Sequence, residues 1–323
     1  MGKINFRWAI THALDEELAR DDKVFMIGQD IGKSGGVFGL TRGLHEKYGS
    51  WRVKDSPISE EGITGLGVGA AMIGYRPIVE IMYMDFITLA IEGIANQAAK
   101  TYYVTNGNIK VPMVVRTLAG GGFRAGIHHS QSLESWFTHV PGLKVVYPST
   151  PYDVKGLLKS SIRDDNPVVF IEHKALFSIK GEVPDEEYTV PLGKADIKRE
   201  GSDLTIITYG KPVYQSLEAA EKLEKEGIDV EVVDLRTLVP LDKEAVLESV
   251  QKTNRAMVVY EAPKESGFGA EVSSMISEEL IYDLDAPIKR VAGAFTPIPL
   301  GVNEDAHFPT VDRIVHEAKE MCR

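Results

Sequence analysis

The stretch from residue 55 to residue 82 constrains the fold more than any other part of this sequence. Pro57 favours extended backbone in the residue before it, and Ser59 can then cap a helix. Glu60 and Glu61 would lie in the first turn of that helix, where the positive end of the helix dipole favours carboxylates. We therefore expect two carboxylates at the mouth of a helix, where such groups are candidates for acid–base chemistry.

The residues that follow make a functional role more plausible than a solvated first turn. Residues 63–73 read Ile-Thr-Gly-Leu-Gly-Val-Gly-Ala-Ala-Met-Ile and contain no charge. A helix that is apolar on all sides is expected to be buried, and its glycines destabilise it unless another backbone approaches. A carboxylate at the start of a buried helix is more often functional, and Glu60 is the first candidate.

Short apolar runs alternate with amphipathic segments along the whole chain. Strands are predicted at 24–27, 76–82, 112–118, 143–147, 167–172, 204–209, 230–235, 256–260 and 288–291. Helices are predicted at 5–20, about 87–103, after Pro151, 212–227, after Asp242 and 272–280. This alternation predicts an α/β protein with two doubly wound, mostly parallel-sheet domains. Because charge, proline and glycine interrupt the pattern, we expect domains at 1–180 and 201–323 with a linker at 181–200.

A glycine-rich loop follows the first predicted strand and has two interpretations. Its glycines at positions 28, 32, 35, 36 and 39 could cradle a phosphate, but no Gly-x-x-x-x-Gly-Lys-Ser/Thr pattern is present. Asp30 in the same loop opposes an anion. We therefore favour a turn over a phosphate site.

Composition narrows the class of protein. The chain has 323 residues, with 36 Lys and Arg against 47 Asp and Glu, so its net charge of −11 argues against nucleic acid as a partner. The single cysteine, Cys322, excludes an intrachain disulfide and favours a reducing compartment. No apolar run approaches the roughly 20 residues needed to cross a bilayer. We expect a cytoplasmic protein.

Several motifs together resemble the β subunit of thiamine-diphosphate-dependent 2-oxoacid dehydrogenases. They are Asp-Ser-Pro-Ile-Ser-Glu (55–60), Gly-Ala-Ala-Met-Ile-Gly-Tyr-Arg-Pro (69–77), Met-Tyr-Met-Asp-Phe (82–86), His-His-Ser-Gln-Ser (128–132), Pro-Gly-Leu-Lys-Val-Val (141–146) and Asp-Leu-Arg-Thr-Leu (234–238). The resemblance covers essentially the whole chain in order. It implies a transketolase-like fold with a pyrimidine-binding domain and a C-terminal domain.

The resemblance assigns roles to four residues. Glu60 would hydrogen-bond to the pyrimidine N1′ atom of the cofactor and activate it, while Glu61 keeps a structural role. Phe86 would lie against the pyrimidine face with Met82 beside it. The family's active-site histidine directly precedes Ser-Gln, so His129 inherits that role near the substrate and the lipoyl thiol.

Two features of the sequence suggest metal sites. The adjacent histidines His128 and His129 suggest zinc, but zinc sites prefer other spacings and no third ligand is evident; the role of His128 stays open. The resemblance also implies a structural potassium ion bound mostly by backbone carbonyls. Its ligands would come from Met113, Ser161, Ile162, Asp164 and Asn166.

The sequence contains no Gly-Asp-Gly segment, which thiamine-diphosphate enzymes use to hold Mg²⁺ and the diphosphate. The chain therefore resembles half of an enzyme. An α partner would supply the diphosphate side and its Mg²⁺, in an α2β2 assembly that serves a lipoyl-bearing acyltransferase core.

Two other functions and three substrates stay open at this point. Gly65-x-Gly67-x-Gly69 invites a nicotinamide-dependent dehydrogenase, but its spacing is not Gly-x-Gly-x-x-Gly. A non-catalytic scaffold subunit with a decayed site is the second alternative; the presence of Glu60, Phe86 and His129 together argues against decay, although a scaffold could keep them by chance. Residues 178–184 and 189–195 look more like acetoin dehydrogenase β subunits, while the helix after residue 151 looks equally like pyruvate dehydrogenase. The expected order of substrates is acetoin, pyruvate, then branched-chain 2-oxoacids.

Overall fold

A computed structural model describes residues 2–323 and divides the chain into two compact units. Unit 1 comprises the residues up to Ala119 together with Trp136–Leu192, and unit 2 comprises Gly120–Ser135 and Gly193–Arg323. In each unit, helices cover a mostly parallel sheet, as the alternating sequence pattern predicts. The boundaries differ from the expected 1–180 and 201–323, because residues 120–135 group with the second half of the chain.

Unit 1 is built around a parallel sheet with the strand order β6-β7-β5-β4-β2-β3. Its strands are β1 (Gly2–Asn5), β2 (Val24–Gln29), β3 (Val53–Ser56), β4 (Arg76–Ile81), β5 (Val114–Ala119), β6 (Lys144–Val146), β7 (Val168–His173) and β8 (Lys180–Val183). Its helices are α1 (Phe6–Arg20), α2 (Leu44–Arg52), α3 (Glu60–Met72), α4 (Ala99–Val104), α5 (Glu134–Thr138, which begins in unit 2) and α6 (Pro151–Arg163). Strands β2, β5 and β7 are almost wholly buried, as expected for a parallel sheet with helices on both faces, whereas the edge strand β3 is largely accessible.

Unit 2 has a five-stranded sheet with the order β14-β13-β10-β11-β9, in which only β9 runs antiparallel to its neighbour. Its strands are β9 (Asp196–Arg199), β10 (Leu204–Thr208), β11 (Val230–Asp234), β12 (Thr237–Val239), β13 (Ala256–Pro263) and β14 (Lys289–Gly293). Its helices are α7 (Pro212–Glu224), α8 (Lys243–Thr253), α9 (Phe268–Leu280) and α10 (Val311–Met321). Helices α7 and α10 close one face over a core that includes Leu204, Ile206 and Ile314.

Helix boundaries follow the local signals in the sequence. The Asn5 side chain accepts a hydrogen bond from the Trp8 N–H at 2.9 Å and caps α1, as predicted. Pro212 opens α7, and the Asp242 side chain accepts from the Ala245 N–H at 3.4 Å at the start of α8. These caps are short-range features, which is why the sequence alone predicts them.

Two predicted elements need correction. The expected linker at 181–200 contains most of β8, which pairs with β1, and all of β9, which pairs with β11. Both are short, charged edge strands, so their composition reads as a loop. The single helix expected at about 87–103 is instead a 3₁₀ segment (Met84–Ala90) followed by a π segment (Gly93–Ala98) and α4.

Among residues 2–323, no helix is both long enough and apolar enough to span a bilayer.

Candidate active site

The helix that carries Glu60 begins where the sequence places it. Glu60 is the first residue of α3 and Ser59 occupies the capping position, although the Ser59 side chain makes no capping hydrogen bond. The Ile63 N–H donates to the Ser59 carbonyl at 2.9 Å and closes the first turn. The Glu60 side chain is half-buried, and within residues 2–323 its carboxyl group has no hydrogen-bond or ion-pair partner. This carboxyl group is therefore available to a ligand.

One face of α3 is packed and the other is open, so the prediction that the helix is buried on all sides was wrong for this chain. On the packed face, a Cβ atom at Gly67 would lie 2.7 Å from Val79 Cγ2, which explains the glycine. On the open face, Leu66 is 46% exposed and Met72 is 42% exposed. A run of uncharged residues does not distinguish burial within a chain from burial by a partner.

Met82 and Phe86 lie just beyond the carboxyl end of β4, where ligands bind in open parallel sheets. Both side chains are half-buried. The Phe86 ring packs edge-on against the Tyr83 ring, with 5.9 Å between the ring centroids. The backbone N–H of Phe86 donates to the Tyr83 carbonyl at 2.9 Å. Because α3 packs against the segment 84–98, unit 1 brings the Glu60 helix and the Phe86 segment together.

A buried ion-pair network lies in the same sheet and was missed by the sequence analysis. Arg116 donates to both carboxylate oxygens of Glu172, at 2.7 and 3.0 Å, and to Glu80 at 2.7 Å. Burial alone would lower the pKa of Arg116, but the two carboxylates raise it, so the guanidinium stays charged. Charged residues within strands that are otherwise apolar are the feature of the sequence that could have indicated this network.

The glycine-rich loop after β2 is a closed turn. The Asp55 carboxylate accepts from the Gly32 N–H at 2.6 Å and from the Lys33 N–H at 3.3 Å. The Gly36 N–H donates to the Asp30 carbonyl at 2.8 Å. A carboxylate of the chain itself thus occupies the loop amides that a phosphate would use, which supports the turn interpretation.

His128 and His129 lie on a loop of unit 2, residues 120–135, which we call the histidine loop. His128 is exposed and His129 is half-buried, with its N–H donating to the Gly126 carbonyl at 3.3 Å. The loop borders a cavity of about 530 Å³, which His128 lines and His129 does not. Other lining residues include Glu261, Pro263, Phe295, His307 and Phe308.

Buried acidic side chains lie within the histidine loop (Glu134) and against it (Glu261 and Glu304), and none of them was predicted as a site residue from the sequence. Burial raises the pKa of Glu134 to about 7, although the Tyr209 hydroxyl donates to its Oε1 at 2.8 Å. Glu261 accepts from the Gly121 N–H at 3.2 Å. Glu304 accepts from three donors of the loop. These contacts explain why residues 120–135 group with unit 2.

The carbonyls expected to bind potassium lie close together in unit 1, and several already accept hydrogen bonds. Arg76 Nη1 donates to the carbonyls of Ile162 at 3.1 Å and Asp164 at 3.0 Å. The Met113 carbonyl accepts from the Val168 N–H at 2.9 Å, and the Ser161 carbonyl accepts from the Asp164 N–H at 3.3 Å. Asn166 Nδ2 donates to Asp164 Oδ1 at 2.9 Å. In residues 2–323, no group of three or more His, Cys, Asp or Glu side chains is arranged to hold a metal ion.

Comparison with known proteins first identifies the class of protein to which this chain belongs. Residues 2–180 match the transketolase pyrimidine binding domain, and residues 193–314 match the transketolase C-terminal domain. Solved structures agree on the fold. A split gene transketolase, an inactive β4 tetramer, gives a TM-score of 0.80 with 22% identity over the full length of both chains. A transketolase from Pichia stipitis gives 0.73 with 14% identity, covering this whole chain and 46% of that one. The protein is transketolase-like.

Curated relatives narrow this class. The 2-oxoisovalerate dehydrogenase subunit beta of Bacillus subtilis is 51% identical over 298 residues, covering 92% of this chain and 91% of that protein. The acetoin:2,6-dichlorophenolindophenol oxidoreductase subunit beta of Cupriavidus necator is 45% identical, covering 99% and 98%. The pyruvate dehydrogenase E1 component subunit beta of Bacillus subtilis is 46% identical, covering 99% of both. The chain belongs to the family of E1 β subunits of 2-oxoacid and acetoin dehydrogenases.

Proposed function

We propose that this chain binds the aminopyrimidine half of thiamine diphosphate and activates it through Glu60, as part of an oxidoreductase that transfers acyl groups to lipoyl groups. The observation that carries the proposal is the Glu60 carboxyl group. It starts α3 with no partner in residues 2–323, on a helix packed against the Phe86 segment. Membership of the E1 β family supplies the cofactor class.

The side chains present fit an aminopyrimidine ring. The ring needs one carboxyl group at its N1′ atom and apolar surfaces on its faces, and unit 1 offers Glu60, Phe86 and Met82, all half-buried. When bound, thiamine diphosphate would supply a carbon nucleophile for chemistry at the carbonyl group of the substrate. Glu60 would hold and move a proton at N1′, because a carboxyl group can both donate and accept one. Phe86 and Met82 would orient the ring and exclude water.

An α partner would complete the site. The chain lacks a Gly-Asp-Gly segment for Mg²⁺ and diphosphate, and the relatives are themselves named as β subunits. The open face of α3 supports a covering subunit, since exposed apolar patches commonly mark interfaces. We propose an α2β2 component that serves a lipoyl-bearing acyltransferase core.

We propose that His129 acts at the substrate and the lipoyl thiol, as a proton donor or an orienting group. It lies half-buried on the histidine loop, and an imidazole is the side chain suited to proton transfer near neutral pH. The role of His128, the more exposed of the two histidines, stays open.

We also propose that the carbonyls at Met113, Ser161, Ile162 and Asp164, with Asn166, bind potassium. Each carbonyl has two lone pairs, so a cation can share the cluster with Arg76. Added potassium should then raise the melting temperature of the chain relative to the same concentration of sodium. Equal melting temperatures in the two salts would contradict this site.

Substrate choice is tested with the assembled component. Residues 178–184 and 189–195 favour acetoin, followed by pyruvate and branched-chain 2-oxoacids, whereas the 2-oxoisovalerate relative has the highest identity of the three compared. The chain should be co-expressed with its α partner and assayed on all three substrates with an artificial electron acceptor. We expect thiamine-diphosphate-dependent turnover of at least one substrate. An assembled component that is inactive on all three would favour a scaffold subunit.

A further inference from the structure

The buried acid Glu304 has no part in the chemistry proposed above, yet it contacts the histidine loop at three points. It is 1% exposed and lies in a 3₁₀ segment, Gly301–Ala306. Its Oε1 accepts from the N–H groups of Gly122 at 2.5 Å and Arg124 at 3.2 Å. Its Oε2 accepts from the Ser130 hydroxyl at 3.2 Å. One carboxylate therefore binds the loop on both sides of residues 125–129.

The backbone of the loop is shaped to surround this carboxylate. Left-handed φ angles occur at Gly120 (82°), Gly122 (105°), Gly126 (76°) and, without the freedom of glycine, Arg124 (54°). Alternation of such conformations turns successive N–H groups toward one anion. Here the N–H groups of Gly122 and Arg124 donate to Glu304, whereas the N–H of Gly121 donates to Glu261. A non-glycine residue in this conformation persists only where its surroundings fix it, and the bond to Glu304 is one such constraint.

Close packing from the same segment reinforces the arrangement. A Cβ atom at Gly121 would lie 2.1 Å from Phe308 Cε2, and one at Gly126 would lie 2.3 Å from Leu300 Cδ1. Leu300 and Phe308 flank Glu304 in the sequence. The segment 300–308 thus forms the surface on which the histidine loop rests.

We propose that Glu304 is a positioning residue that fixes the histidine loop and thereby the place of His129. The anchoring follows from contacts within unit 2. Its catalytic consequence rests on the function proposed above for His129. The neighbouring Asp305 provides a matched control. It forms an ion pair with Arg124 Nη2 at 2.7 Å in which both side chains are exposed, and exposed ion pairs contribute little to stability.

Hydrogen exchange on the full chain tests the anchoring. In Glu304→Ala, the amides of residues 121–130 should exchange faster by roughly a factor of ten or more, because charge-assisted hydrogen bonds are lost. Asp305→Asn should leave them unchanged. If Glu304→Ala exchanges like the wild type, the anchoring is refuted.

Kinetics of the component assembled with its α partner test the consequence. Glu304→Ala should lower kcat for transfer to lipoyl domains by roughly 10²-fold, the cost of a small displacement of a catalytic group. The KM for lipoyl domains should change little, and the rate with an artificial electron acceptor should fall much less than the rate of transfer. Glu304→Gln keeps an oxygen for the Gly122 N–H and should restore most of the transfer.

Equal losses with both acceptors would show that Glu304 is merely structural and overturn the positioning role. If Glu304→Ala does not fold, Ser130→Ala removes one of the three donors and should produce a smaller effect in the same direction; unchanged exchange and transfer in Ser130→Ala would then overturn the proposal. A wild-type assembly without thiamine-diphosphate-dependent activity would instead refute the function proposed for His129, and the exchange experiment would still decide the anchoring.

Discussion

The face around Glu60 and the histidine loop both carry candidate catalytic residues, but they are stabilised in opposite ways. Glu60 has no polar partner within residues 2–323, and its helix exposes Leu66 and Met72. The histidine loop is bound by Glu261 and Glu304 from its own unit. The first region is open toward another molecule, whereas the second is ordered within the chain.

From this contrast we infer where each part of the site is completed. An apolar face exposed over several turns is stable in an assembly in which a partner covers it. Buried carboxylates that bind backbone amides order a loop without help from outside. We therefore expect substitutions near Glu60 to affect cofactor chemistry and assembly, and substitutions near Glu304 or Glu134 to affect the chain itself.

The largest effect is expected at Glu60. Glu60→Gln should lower turnover of the assembled component by roughly 10³-fold, because an amide cannot relay a proton. Folding and assembly should be preserved, since the carboxyl group has no partner in residues 2–323. Steady-state kinetics and sedimentation check both expectations. Glu61→Gln, one residue further along α3, is the control, and near-wild-type turnover in Glu60→Gln would refute the assignment.

His129→Ala should produce the next largest effect, and mainly on the transfer step. Transfer to lipoyl groups should fall by roughly 10²-fold, the scale of a lost proton donor. Turnover with an artificial electron acceptor should fall less, because that assay bypasses the lipoyl thiol. The two assays are run side by side with His128→Ala as the control. Equal losses in both assays would argue against the role of His129.

Glu134→Gln should change the pH dependence of stability. Burial raises the pKa of Glu134 from 4.5 to about 7 in the folded chain, so the folded state holds this proton more tightly than the unfolded state. The wild type therefore loses stability as pH rises from about 4.5 to 7. Because a glutamine cannot ionise, Glu134→Gln does not show this loss. The free energy of unfolding that the wild type loses through Glu134 is on the order of 3 kcal/mol at pH 8 and close to zero at pH 4.

Urea unfolding at the two pH values measures this difference. Glu265→Gln, at an exposed position, is the control and should show no pH-dependent difference from the wild type. A stability difference between Glu134→Gln and the wild type that is the same at both pH values would contradict the account of Glu134.

The smallest effect on the chain itself is expected at the open face of α3. Leu66→Gln should change the free energy of unfolding by no more than about 0.5 kcal/mol, because Leu66 is 46% exposed. Association with the α partner should weaken by roughly tenfold, since a covered leucine contributes apolar burial there. Ile197→Gln, at a similar 43% exposure in β9, is the control. Unchanged association in Leu66→Gln would mean that this face is not an interface.

Much of the fold follows from local sequence signals, and the rest depends on contacts between distant residues. Asn5 and Asp242 cap helices as predicted because each cap involves residues three positions apart. The edge strands β8 and β9 were missed because pairing, rather than composition, defines them.

The same distinction applies to the candidate site. Motif resemblance identified Glu60, Met82, Phe86 and His129, whose roles remain proposals. It did not identify Glu134 or Glu304, because their contacts join residues 75 and 174 to 182 positions apart. Spacing along the chain gives no sign of such pairs.

Calorimetry of thiamine diphosphate with Mg²⁺ tests most directly the claim that this chain holds only half of the cofactor site. The titration is run on the chain alone, on the chain with its α partner, and on the same assembly carrying Glu60→Gln. We predict weak binding to the chain alone and tight, Mg²⁺-dependent binding to the assembly. Tight Mg²⁺-dependent binding to the chain without a partner would contradict the account.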